Sequence, residues 1–120
     1  MLERYKAKRR LNKAGLDYIE VSEGALKHYM NDIKGNDSEK ITNLLIKINR
    51  NYSCSNVTRE FPNTIVKTYG NLVIRYSKKT NKICNIYNRK GEGRNFHVDK
   101  ELKKRYDKVL NDKGGLLCYI

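Results

Sequence analysis

The chain reads as an α+β domain in which a helical hairpin packs on one face of a small antiparallel sheet, in the order β-α-α-β-β-β-α. Two observations predict this. Apolar residues between positions 22 and 48 recur at helical spacing, whereas those between 64 and 88 sit in short runs rich in β-branched and aromatic side chains. A chain of 120 residues is the common size of one domain. Helices and strands segregated along the sequence therefore imply helices gathered on one side of a sheet.

The elements follow in order. Residues 1–15 hold Arg4, Lys6, Lys8, Arg9, Arg10 and Lys13 against the single acid Glu3. They read as a basic arm that orders on nucleic acid, or as a linker from a larger precursor, leaving residues 16–120 as the domain proper. Leu16-Asp17-Tyr18-Ile19-Glu20-Val21 alternates and predicts a half-buried strand. Ser22 offers a cap to a helix over residues 22–33, with Leu26, Tyr29, Met30 and Ile33 on one stripe. Lys34-Gly35-Asn36-Asp37 stops it. Asp37 or Ser38 then caps a second helix carrying Ile41, Leu44, Leu45 and Ile48 at i, i+3, i+4 and i+7.

Strands are expected at 64–69, 71–77 and 83–88, with Gly70 and the polar stretch Lys78-Lys79-Thr80-Asn81-Lys82 as turns. Arg89-Lys90-Gly91-Glu92-Gly93-Arg94 is a basic loop, and Phe96-His97-Val98 a short last strand. Asp99 caps a third helix bearing Leu102, Tyr106, Val109 and Leu110, which Gly114-Gly115 ends. An apolar tail, residues 116–120, follows and suits a sheet edge.

Twenty-six Lys and Arg against 13 Asp and Glu give a net charge of +13, and the isoelectric point is near 9.8. That excess is the footprint of a phosphate-binding protein; the alternative is pairing with an acidic protein partner. Cys54, Cys84 and Cys118 are odd in number and lack CxxC spacing, so neither a disulfide framework nor a zinc site is expected. All three lie beside apolar runs and read as buried thiols. No membrane span and no cofactor motif is present: Walker loop, dinucleotide fingerprint and HExxH are all missing.

Part of the chain resembles the RelE/ParE-like ribonuclease toxins. Tyr18-Ile19-Glu20-Val21-Ser22-Glu23-Gly24-Ala25-Leu26-Lys27 is similar to their opening strand running into a first helix. Gly70-Asn71-Leu72-Val73-Ile74-Arg75-Tyr76 resembles their central strand, and residues 83–89 the next strand with its terminal basic residue. The hairpin from Arg75 to Lys82 is also similar to the C-terminal nuclease domains of polymorphic and contact-dependent toxins, which share a broad fold with colicin-type RNases. The resemblance spans residues 17–98. The basic N-terminus and the helix after Asp99 depart from the minimal RelE-like domain and lean toward the delivered toxins. The resemblance implies an RNA substrate in a target cytoplasm, an acidic antitoxin or immunity protein as partner, and Arg75 as the residue that stabilises the transition state.

Metal-independent RNA cleavage uses the 2′-hydroxyl as nucleophile. It needs a base, an acid for the leaving 5′-oxygen and cations for the phosphoryl charge. Histidine suits both proton roles near neutrality, and the chain has two. His97 follows the basic loop and precedes a helix N-terminus, a setting that favours anions. His28 lies about 200° around its helix from Leu26, away from the apolar stripe, as a catalytic group or an idle surface one. Arg75 falls on the strand face opposite Leu72, Ile74 and Tyr76, where it meets a phosphate or is simply solvated. Arg89 and Arg94 flank the loop and suit bidentate phosphate bonds. Tyr87 stacks on a base, serves as the acid, or is an ordinary strand tyrosine. Lys27, Lys90, Arg9 and Arg10 are auxiliary RNA contacts. The rival reading is a non-catalytic nucleic-acid binder, such as a phage or mobile-element inhibitor.

Overall fold

A computed structural model describes residues 2–33, 40–88 and 98–112. Its elements are α1 (Leu2–Lys13), β1 (Glu20–Val21), α2 (Glu23–His28), a π-helical turn (Tyr29–Ile33), α3 (Ile41–Ser53), β2 (Asn56–Phe61), β3 (Thr64–Tyr69), β4 (Leu72–Ser77), β5 (Lys82–Asn88) and α4 (Lys100–Asp112). The five strands form one sheet in the order β1-β5-β4-β3-β2. The α+β class and the helices packed on the sheet match the sequence expectation.

Residues 2–15 correct it. They hold no arm or linker but α1, whose Ala7 and Leu11, spaced i and i+4, are fully buried in the main core. Glu3 in the first turn and Lys13 in the last oppose the helix dipole. The helix ends at Gly15, whose φ of +75° only glycine adopts freely, and the Leu16 N–H turns back to the Leu11 carbonyl at 2.9 Å.

β1 is far shorter than the alternation of residues 16–21 predicts. Its two residues pair in parallel with β5, so the sheet is mixed at this edge rather than antiparallel throughout. The reason is Asn49 of α3. Its side chain accepts from the Ile19 N–H at 2.6 Å and donates to the Ile19 carbonyl at 3.1 Å, taking that peptide out of any ladder. Ser22 caps α2 by accepting from the Ala25 N–H at 3.1 Å. The helix then widens into the π-helical turn instead of running unbroken to Ile33.

α3 carries the expected stripe but is buried on more than one face, because it packs against β3, α1 and α4. Lys40 occupies its cap position without a side-chain cap bond; Asp37 and Ser38 lie outside the described residues. Strand β2 was not expected. It joins β3 through the two-residue turn Pro62-Asn63, and a bulge at Thr58 interrupts the register. Asp99 caps α4 as expected, accepting from the Leu102 N–H at 3.0 Å. The α4 face bearing Tyr106 and Val109 is buried, and the Tyr106 hydroxyl donates to Ser53 Oγ at 3.0 Å. Residues 96–97 of the expected last strand and residues 113–120 lie outside the described residues.

The main core sits between the helices and one sheet face, where Ile74, Ile83 and Ile86 meet Leu44, Leu45 and Ile48. Of the thiols, Cys54 is buried and Cys84 is exposed, which corrects the expectation for Cys84. Cys84 is the extra residue where the β4–β5 register shifts, so the alternation that buries Ile83 and Ile86 leaves it outside. Cys118 lies outside the described residues. Among the described residues, no helix is long and apolar enough to cross a membrane.

Candidate nucleic-acid interface

Side chains alternate along a strand, so the residues of β4 that enter the core fix which ones face away. Ile74 is buried against the helices, which puts Val73 and Arg75 on the opposite face. The cross-strand register extends that face. Arg75 stands opposite Asn85 on β5 and Val66 on β3, and Val66 stands opposite Arg59 on β2. The next row places Val73 between Thr68 and Tyr87. Val66 and Val73 are buried but do not belong to the helix-side core cluster.

This second face therefore has a short apolar floor with two guanidinium groups on it. Arg59 and Arg75 lie two strand spacings apart, about 10 Å. Tyr87 is the diagonal neighbour of Arg75, about 7–8 Å away between backbones. Arg75 and Tyr87 are half-buried and Arg59 is exposed. Thr58 and Thr68 add hydroxyls at the β2 side, 3.2 Å from each other. Two cations, an aromatic ring and hydroxyls on one sheet face are the groups that hold phosphate and stack a base.

The expected site residues do not all gather there. Arg75 and Tyr87 share the face, as the strand parity implies. His28 does not. It ends α2, which packs on β5 from the helix side, so the sheet separates its imidazole from Arg75. Lys27 is exposed on the same helix. Arg9 is exposed on α1, also in the helix layer. Arg10 is half-buried, donating to Asn43 Oδ1 at 2.9 Å and to the Val109 carbonyl at 2.6 Å. Its guanidinium thus ties α1 to α3 and α4 rather than standing out toward a ligand. Arg89, Lys90, Arg94 and His97 lie outside the described residues.

Arg59 is the residue that sequence reasoning missed. Pro62-Asn63 between two β-rich runs is a turn signal, proline pre-setting φ for the first turn position, and it would have placed Arg59 on a strand leading into β3. The other charged cluster, around Glu20, is structural. Arg4 bonds Glu20, the Val21 carbonyl and, at 2.8 Å, Glu23; Tyr18 donates to Glu20 at 2.8 Å. Burial opposes the Glu20 charge, but the donors Tyr18, Arg4 and the Val21 N–H outweigh it and hold the carboxyl below its usual range. Lys67 is treated likewise on the helix side of β3. Its ammonium sits 4.3 Å from the Tyr52 ring centre and donates to the Tyr52 carbonyl at 3.0 Å, and burial depresses its pKa. Burial pushes the Tyr52 hydroxyl up to about 12, so it stays protonated in neutral solution. Among the described residues, no group of three or more His, Cys, Asp or Glu is placed to hold a metal ion.

Comparisons with family models, with curated proteins and with solved structures yield no match.

Proposed function

We propose that this chain acts on RNA through the sheet face that carries Arg59, Arg75 and Tyr87, as a metal-independent endoribonuclease toxin held in check by an acidic antitoxin or immunity protein. The observation that carries this reading is the β4–β5 register. It puts Arg75 and Tyr87 together on the face turned away from the helices, with Arg59 one strand beyond β3. A net charge of +13 supports a polyanionic ligand and, by the same chemistry, an acidic inhibitor.

On this reading Arg75 and Arg59 take the phosphate, and Arg75 stabilises the charge that builds when the 2′-oxygen attacks phosphorus. His97 accepts the 2′-hydroxyl proton. Tyr87 stacks on the flanking base or protonates the departing 5′-oxygen. The work is done in the target cell's cytoplasm.

Incubation of the purified protein with total RNA in EDTA tests it. Cleavage is expected to persist in the chelator and to vanish in Arg75→Ala and in His97→Ala. Arg75→Lys should fail to restore it, because an ammonium cannot reproduce the planar bidentate bond. A second reading, binding without cleavage, is favoured by the position of His28 on the far side of the sheet. Intact RNA together with salt-sensitive binding would select it.

A further inference from the structure

The helix α1 has two faces, and the core uses one. Ala7 and Leu11 are fully buried against the neighbouring helices. The opposite face presents Leu2, 61% exposed, and Tyr5, 60% exposed. At about 100° per residue, Lys6, Arg9 and Lys13 fall on that same outer face. All three are exposed, and among the described residues no ion pair engages them. An exposed tyrosine among unpaired cations, on a helix already anchored by its other side, is a preformed surface that awaits an anion.

We propose that this outer face of α1 is a second RNA contact that grips a single-stranded segment, Tyr5 stacking on an unpaired base and Lys6, Arg9 and Lys13 lying along the phosphates. The inference rests on the RNA reading above and goes beyond it. It places a contact in the helix layer, across the molecule from Arg75, on a helix formed before RNA arrives rather than an arm that orders on it. The three cations span about 10 Å of helix axis, the reach of a few nucleotides. An anionic membrane fits less well. A helix that lies in a bilayer surface inserts a broad apolar face, and here that face is spent on the core, leaving only Leu2 and Tyr5 outside. Aromatic rings interleaved with cations instead match single-strand binding.

The test measures anisotropy of a short mixed-sequence 2′-O-methyl RNA, which lacks the nucleophile and so stays intact. Tyr5→Ala should weaken binding about tenfold and Tyr5→Phe should not. Neither variant should weaken the duplex form of the same sequence, which offers no unpaired base. Combined Lys6→Ala, Arg9→Ala and Lys13→Ala should lower the salt slope of binding by about 2. Circular dichroism should show every variant as helical as the parent, since all four positions are exposed. The inference is overturned if Tyr5→Ala and the triple variant bind like the parent. It also falls if polyglutamate competes as well as RNA, or if phosphatidylserine vesicles bind through these residues while RNA does not. Two failures are distinguishable. A parent that does not bind RNA sinks the RNA reading itself. A parent that binds, with loss in Arg75→Ala but none in the α1 variants, sinks only the second contact.

Discussion

Asn49 lies fully buried on α3, and its amide meets the Ile19 peptide on both sides while also donating to the Leu45 carbonyl at 2.9 Å. Asn49→Ala leaves the Ile19 N–H and carbonyl without those partners in a dry setting. Unfolding stability should fall by about 3 kcal/mol, read from urea denaturation. Glu20 makes a prediction about pH. Its folded pKa is held below its ordinary value of 4.5, so its contribution is complete above that pH and is lost as pH falls through the folded value. Glu20→Gln should therefore be the less stable protein near neutrality, with the gap closing in acid; urea midpoints at about pH 7 and about pH 3 would show it. Equal gaps at both would remove Glu20 from the account of acid sensitivity. Neither role was visible beforehand. Asn49 reads as one polar residue on an amphipathic helix, and Glu20 as the polar half of an alternating strand, because their partners lie 30 and 16 residues away.

At the scale of the element, β4 puts a core residue and the proposed RNA contact on adjacent positions. Ile74 is 1% exposed in the core and Arg75 faces the other way. Ile74→Ala should cost about 2–5 kcal/mol through the cavity it leaves, whereas Arg75→Ala should stay within about 0.5 kcal/mol while RNA affinity falls. Comparable destabilisation by both would mean that Arg75 is part of the packing rather than a ligand contact. β3, β4, β5 and α4 were legible because their periodicity and caps are local: alternating β-branched residues, Gly70, Asp99. β2 was not, because Asn56-Val57-Thr58-Arg59-Glu60-Phe61 lies exposed along its whole length at a sheet edge. Burial leaves no pattern on such a strand, and only the turn after it marks the pairing.

At the scale of the whole molecule, α1 shows how packing overrides composition. Residues 2–13 are so basic that they read as a tail, yet Leu11 and Ala7 complete the core against α3 and α4, and Arg10 bridges the same helices. Deletion of residues 2–13 should abolish the cooperative thermal transition followed by circular dichroism; an unchanged transition would make α1 dispensable. The sequence by itself determined the α+β class, strands β3 to β5, the caps Ser22 and Asp99, the net charge, and which face of β4 carries Arg75, since these depend on composition, period and neighbours a few residues apart. Only the tertiary structure decided that α1 belongs to the core, that β1 joins β5 in parallel, that Arg59 joins the Arg75 face and that His28 does not. Those outcomes turn on which distant surfaces meet, and a linear pattern reports that a residue is apolar or charged without saying what it will face.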